Sequence, residues 1–120
     1  MPFMTVRLNR HLERERENEL KERIGKALSL IPGKSEQSLL LAIDDNCPIY
    51  LRGEGDSPTA YVELSVFGNE RHGGYDRLTA ALSRIFREVA GVSPECFYIR
   101  YSDIQAWGVA DRTFDRKDFC

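Results

Sequence analysis

Pro2 is the residue of this chain whose type and position suggest chemistry most directly. Inside the chain its nitrogen is an amide without a hydrogen, but removal of Met1 from the opening stretch MPFMTV would make it a secondary amine. A base that removes a proton beside a carbonyl works best with a pKa near neutral pH. An apolar pocket and a nearby cation both lower the pKa of an amine. Two interpretations remain open: Pro2 begins a strand, or it is a general base.

Cysteine and histidine do not form the patterns that hold metals or disulfides. The chain has three cysteines and two histidines, and none of the cysteines stands in a CxxC pair, which argues against a zinc site, a redox motif or a disulfide framework. We therefore expect no metal and no cofactor. These residues are Cys47, Cys96, Cys120, His11 and His72.

Composition indicates one soluble domain. The 120 residues are 42% hydrophobic and 30% charged, and the net charge is -2. No basic stripe offers a site for nucleic acid, and no apolar run approaches the roughly 18 residues of a membrane span. Without a signal-like N-terminal segment, we expect a cytoplasmic protein that binds neither nucleic acid nor membrane, with export by another route left open.

The elements that would position Pro2 follow from the apolar spacing. Residues 3–9 predict a strand, residues 38–44 (SLLLAID) a buried strand, and residues 48–52 a short edge segment. Between the two strands, a helix begins at Leu12 and ends at Pro32-Gly33. Its apolar face consists of Leu20, Ile24, Ala27, Leu28 and Ile31.

The second half repeats this plan. Residues 60–67 (AYVELSVF) and 97–102 (FYIRYS) predict strands. A helix between Gly73-Gly74 and Gly91 has its own apolar stripe of Leu78, Ala81, Leu82, Ile85 and Val89.

An internal repeat supports this division. GKSEQSLLLAID from Gly33 aligns with GVSPECFYIRYS from Gly91 at an offset of 58 (91 − 33), which carries Pro2 to Ala60. The prediction is a single domain over residues 1–114, made of two βαβ pseudo-repeats (2–52 and 60–114), and a tail of residues 115–120. Helices cover one sheet face. We expect the other face to be apolar and buried against further copies, in a homo-oligomer of closed symmetry.

The chain resembles the macrophage migration inhibitory factor (MIF) family of the tautomerase superfamily. The resemblance rests on Pro2, Gly33-Lys34, SPECFYIRYSD (93–103), and Trp107-Gly108 followed by Thr113-Phe114. It implies an α+β, tautomerase-like fold in which two βαβ units share a four-stranded mixed sheet with two helices on one face. It further implies a homotrimer whose sheets form a barrel, and keto–enol tautomerisation of phenylpyruvate-like α-keto acids through the Pro2 amine.

The resemblance also implies roles for other residues. Lys34 and the backbone N–H of Phe67 would bind the substrate carboxylate, and Tyr98 would reach the pocket from the neighbouring subunit. Each has a purely structural interpretation: Lys34 follows a helix C-terminus, and the aromatic residues can fill a core. Pocket walls would come from Trp107, Val109 and Phe114.

Arg100 is a departure from the best-known members of the family, which have asparagine at this place. Tyr98 and Arg100 share a strand face because alternate residues point the same way. Arginine can grip a carboxylate through two hydrogen bonds. A more acidic substrate with decarboxylase, hydratase or dehalogenase chemistry is thus one interpretation, and an ion pair that only stabilises the trimer is the other.

Two further expectations concern interaction surfaces. The alternative to an enzyme is a cytokine-like trimeric interaction protein with a vestigial pocket and a protein receptor. The tail of residues 115–120 extends past the family's closing residues. We expect a mobile end on which Cys120 exposes its thiol, and the alternative is an added contact between subunits.

Overall fold

The computed structural model describes residues 1–119, and the expectation for Cys120 lies outside them. Its strands and helices are β1 (Pro2–Leu8), α1 (Arg14–Ala27), β2 (Leu40–Asp44), β3 (Ala60–Phe67), α2 (Tyr75–Ala90), β4 (Phe97–Ile104), β5 (Ala106–Val109) and β6 (Arg112–Asp115). Short 3-10 turns span Leu28–Leu30, Glu36–Ser38, Pro94–Cys96 and Arg116–Phe119. Within residues 1–119, no helix is long and apolar enough to cross a membrane.

A mixed four-stranded sheet is the centre of the fold, with strand order β2-β1-β3-β4. The pairs β1–β2 and β3–β4 are parallel, and β1–β3 between them is antiparallel. Each parallel pair is joined by a segment that contains a helix, as a parallel connection requires. The predicted α+β class, with two helices and a mixed four-stranded sheet, is confirmed.

The core lies between the sheet and the two helices. Alternate residues of β1 and β3 are buried, as the period of a strand requires, and they pack against the apolar stripes of α1 and α2. Fully buried members include Met4 and Val6 of β1, Ile24 of α1 and Leu82 of α2. The strand that begins at Pro2 is therefore anchored along its whole length.

Several element boundaries differ from the prediction, with α1 beginning at Arg14 and β1 spanning Pro2–Leu8. Residues 36–38 form a 3-10 turn, capped by Ser35 Oγ, which accepts the Gln37 N–H at 3.3 Å, so β2 begins only at Leu40. The expected edge segment at 48–52 contains only an isolated bridge between Leu51 and Glu54. Strand β4 continues past Ser102 to Ile104, because β3 provides pairing partners along that length.

The open face of the sheet is more polar than expected, and that part of the prediction is wrong. The apolar residues of AYVELSVF are the buried ones under the helices, so the alternate residues Tyr61, Glu63 and Ser65 take the other face. Glu63 there lies 3.8 Å from Arg7 and also pairs with Arg100. The apolar composition of this strand therefore gives no information about an oligomer interface.

A second small sheet, the antiparallel hairpin β5–β6, has no counterpart in the prediction. Short hairpins are recognised in sequence by Asn-Gly or Asp-Gly turns. Here the connection is Ala110-Asp111, with Ala110 in the left-handed region at φ 58°. The hairpin determines the positions of Trp107 and Phe114, which stand opposite each other across the two strands.

Candidate active site

The N-terminus lies in a cleft where β1 begins and β3 ends. Pro2 pairs with Val66, the next-to-last residue of β3, and is buried. The cleft has a volume of about 490 Å³. Its lining comes from the terminus, the residues before β2 and the hairpin: Met1, Pro2, Gln37, Ser38, Leu40, Trp107, Gly108 and Val109.

A second cleft of about 330 Å³ also has Met1 in its lining. It is more polar, with two cationic side chains, one carboxylate and two aromatic rings. Its lining residues are Met1, Lys34, Phe67, Gly68, Glu70, Arg116 and Phe119. Because Met1 lines both clefts, the chain terminus borders an apolar space and a second space that holds two cationic side chains and one carboxylate.

This environment lowers the basicity of a terminal amine. The pKa of the Met1 amine falls from 8.0 to about 6, chiefly because burial disfavours the ammonium form and further because the charge and a hydrogen bond of Lys34 oppose protonation. Such an amine is mostly neutral at pH 7. The folded chain then binds fewer protons than the unfolded chain, so this group makes folding less favourable as the pH falls from about 8 through about 6.

Lys34 is held in place by the turn that follows α1. Its backbone N–H donates to the carbonyl of Ile31 at 3.1 Å, and Gly33 before it has the positive φ of 75° that a glycine adopts readily. The side chain extends toward the end of β3, where a Cβ on Gly68 would lie 3.4 Å from Nζ. Lys34 is thus directed at the terminus, which a purely helix-capping role would not require.

The backbone of Phe67 contacts the chain terminus. Its N–H donates to the carbonyl of Met1 at 3.3 Å, and its ring is buried. Loss of Met1 would remove that acceptor. The N–H would then be available to another acceptor beside Lys34.

The hairpin contributes part of the expected wall. Trp107 and Val109 line the larger cleft with Pro2. Phe114 pairs with Trp107 across the hairpin and is half-buried, but it is not among the residues that line either cleft at the terminus. Two of the three predicted wall residues therefore share a cleft with Pro2.

Tyr98 lies at the opposite end of the sheet from Pro2. It pairs with Tyr61, whereas Pro2 pairs with Val66; five residues along a strand correspond to roughly 17 Å. Tyr98 is 52% exposed and lines a different cleft, of about 210 Å³, with Tyr50 and Tyr61. Within one chain, Tyr98 and Pro2 do not form one site.

Arg100 does not line the clefts at Pro2 and Met1 of its own chain. It pairs with Glu63, which lies beside it on β3. One interpretation of Arg100 was an ion pair with only a stabilising role. Glu63 provides the acidic partner for such a pair within the same chain. The pair is on the open face, and its arginine is 61% exposed, so it contributes little to stability.

Several residues that line the two clefts were not identified from the sequence. Gln37 and Ser38 stand in the repeated segment GKSEQS and line the larger cleft, whereas Lys34 of the same segment lines the second one. Glu70, Arg116 and Phe119 belong to no recognisable motif and come together only through the fold. In the described part of the chain, no three His, Cys, Asp or Glu side chains converge to hold a metal ion.

Comparisons with known proteins gave matches of structure alone. No protein-family model matches the chain, and a search of curated proteins gave no significant match. The structure of MIF2 from Leishmania major superimposes with a TM-score of 0.86 over 95% of this chain and 97% of that one, at 23% identity. The MIF homologue from Prochlorococcus marinus gives 0.81 over 93% and 98%, at 20% identity.

The chain has the MIF fold. A further structure with this fold, that of Pt0534 inactivated by 2-oxo-3-pentynoate, gives a TM-score of 0.81 over 98% of both chains at 18% identity. The resemblance noted from Pro2, Lys34 and the C-terminal residues is thus confirmed at the level of the fold, and the coverage shows that the MIF fold accounts for nearly the whole chain.

Proposed function

We propose that this chain, after loss of Met1, is a keto–enol tautomerase of phenylpyruvate-like α-keto acids with the Pro2 amine as its general acid and base. One observation carries the proposal: the chain terminus lies between two clefts, beside Lys34, where the pKa of the Met1 amine is lowered to about 6. The same burial and the same cation would act on a Pro2 amine. The isomerase class agrees with the MIF fold.

The proposed reaction moves one proton and needs no cofactor. Lys34 Nζ and the Phe67 N–H, freed from the Met1 carbonyl, bind the substrate carboxylate. The neutral Pro2 nitrogen removes a proton from the carbon beside the keto group, and the C–H electron pair forms the carbon–carbon double bond of an enolate. The prolinium then returns the proton to the enolate oxygen. Holding the carboxylate in place supplies rate through orientation, and the proton transfer itself contributes about 10²–10⁴-fold.

Labelling with 2-oxo-3-pentynoate tests the nucleophilic amine. This reagent inactivated Pt0534, and an amine can add to its alkyne, forming an N–C bond while a proton goes to the neighbouring carbon. For the chain that begins at Pro2, we expect the intact mass to show one added reagent mass, and peptide mass analysis after digestion to place it on the N-terminal peptide.

The matched control is the chain that keeps Met1, whose Pro2 nitrogen is an amide. In that chain the amide nitrogen of Pro2 cannot form an adduct. Any terminal label there would lie on the Met1 amine. Labelling of an internal lysine instead of the terminus, in the chain that begins at Pro2, would contradict the proposed role of Pro2.

We also propose that the chain is a homotrimer in which Tyr98 of one subunit approaches the Pro2 site of another. The roughly 17 Å that separates these residues along the sheet of one chain supports this arrangement, because a shared site then requires a second copy. Light scattering coupled to size exclusion measures the number of subunits.

Arg100→Asn separates tautomerisation from chemistry on a more acidic substrate. Since Arg100 is paired with Glu63, we expect the substitution to leave phenylpyruvate kcat/KM within about threefold and the free energy of unfolding within about 1 kcal/mol. A loss of tenfold or more in kcat/KM for a dicarboxylic keto acid, with phenylpyruvate unaffected, would instead favour the decarboxylase, hydratase or dehalogenase alternative.

A further inference from the structure

The last residues of the described chain form a turn that sits against the N-terminal site. After β6 ends at Asp115, residues Arg116–Phe119 make a 3-10 turn. The Arg116 N–H donates to the carbonyl of Gln105 at 2.8 Å, and the Lys117 N–H donates to Asp115 Oδ1 at 3.0 Å. The turn is thus hydrogen-bonded to the residue before β5 and to the last residue of β6.

Two side-chain contacts hold the turn over the polar cleft. Arg116 Nε lies 3.4 Å from Glu70 Oε1, at the rim of the cleft. The ring of Phe119 meets the ring of Phe67 edge-on, with 5.9 Å between centroids and 74° between planes. These contacts join the C-terminal turn to the last residue of β3 and to the loop that follows it.

Phe119 keeps most of its surface open to the solvent in this position. It is 67% exposed, although it lines the same cleft as Lys34. Phe119 and Lys34 line one cleft. A ligand whose carboxylate is bound by Lys34 could therefore place an apolar group against the exposed ring of Phe119. A lone exposed phenylalanine needs no explanation, but here its open side belongs to a formed cleft.

We propose that the Arg116–Phe119 turn is a specificity wall of the N-terminal site, and that Phe119 contacts the aromatic ring of an acid whose carboxylate is bound by Lys34. Glu70 and Arg116 act as positioning residues, since their ion pair fixes the turn. The inference rests on the proposed function for its substrate class and extends it: the wall selects arylpropanoid α-keto acids over aliphatic ones.

A pair of unreactive acids tests the wall by binding alone. Cinnamate and crotonate carry the same propenoate group and differ in a phenyl or methyl substituent. In isothermal titration of the chain that begins at Pro2, we expect Phe119→Ala to weaken cinnamate binding by about five- to tenfold, since an aromatic pair stabilises a complex beyond the area that it buries. Crotonate binding should change less than twofold, and Phe119→Tyr should keep the preference.

The control is Lys117→Ala, in the same turn but outside the cleft lining, and we expect it to leave both affinities unchanged. The proposed wall would be wrong if Phe119→Ala lowered the affinities for cinnamate and crotonate equally. It would also be wrong if the substitution changed the number of subunits without changing the affinity for cinnamate. Because no turnover is needed, these results are independent of the proline chemistry. If 2-oxo-3-pentynoate fails to label Pro2 while the Phe119-dependent preference is found, the proposed function fails and the wall stands.

Discussion

A chain with one alanine inserted between Met1 and Pro2 should lose phenylpyruvate tautomerisation by about 10³-fold in kcat, relative to the chain that begins at Pro2. In the extended chain the Pro2 nitrogen is an amide, and the contribution of a general base, about 10²–10⁴-fold, is lost. The measurement is the rate of enol formation followed by absorbance, after mass spectrometry has established each N-terminus.

The pH profile gives this experiment a second readout. The active amine must be neutral, so kcat/KM should rise as the pH passes upward through the pKa of the Pro2 amine. Burial and Lys34 lower the pKa of the Met1 amine from 8.0 to about 6 at this place, and we expect them to lower the pKa of the Pro2 amine as well. Equal turnover and equal pH profiles in the extended and processed chains would exclude the proline base.

Gly74→Ala should destabilise the fold by about 3 kcal/mol or more, the largest effect of a single methyl group that this structure indicates. Gly74 precedes α2 with φ 80°, where an L-residue is disfavoured by about 1–2 kcal/mol. A Cβ there would also overlap the carbonyl oxygen of Leu30 and lie 3.0 Å from the Cα of Ile31. Backbone shifts forced by overpacking add about 1–3 kcal/mol.

Gly91→Ala is the matched control, at the other end of the same helix. Gly91 has φ 69°, but nothing lies within 4 Å of a Cβ built on it, so the substitution should cost only the conformational penalty of about 1–2 kcal/mol. Urea unfolding of both variants measures the difference. Similar losses in the two variants would show that the contact between Gly74 and the Leu30 carbonyl is easily relaxed.

Gly74→Ala should also weaken ligand binding at the N-terminal site. Ile31, against which the new Cβ would press, accepts the hydrogen bond from the Lys34 N–H. A shift of this segment would move Lys34 away from the terminus. Residual folded Gly74→Ala protein should therefore bind crotonate more weakly than Gly91→Ala does.

Most of the fold was predictable from local pattern because each half of the chain is locally consistent. The apolar spacing of α1 and α2 indicated both helices, and the offset of 58 residues from Gly33 to Gly91 matches two 3-10 turns, Glu36–Ser38 and Pro94–Cys96, that each precede a strand. The hairpin β5–β6 was not predicted, since Ala110 occupies a left-handed position where glycine or asparagine is usual.

The chemistry at Pro2 could be suggested from residue types, but its surroundings could not. Lys34 was identified from the Gly-Lys pair after the first helix, and Trp107 and Val109 from the C-terminal motif. Glu70, Arg116 and Phe119 are far from Met1 in the sequence and share its cleft only in the folded chain. Glu70 follows β3, which ends beside the start of β1, and the other two follow the hairpin. No local pattern in the sequence indicates that proximity.

Strand and helix periods were sufficient to predict most of the secondary structure, because neighbouring residues set them. Aligned stretches showed the internal repeat, and residue motifs suggested the resemblance, which proved to be one of fold. The side chains' directions and contacts became known only from the folded chain. It placed the apolar residues of β3 under the helices, paired Arg100 with Glu63, and separated Tyr98 from Pro2 along the sheet. The reason is physical: register and packing join residues distant in the chain, and one-dimensional spacing does not contain those distances.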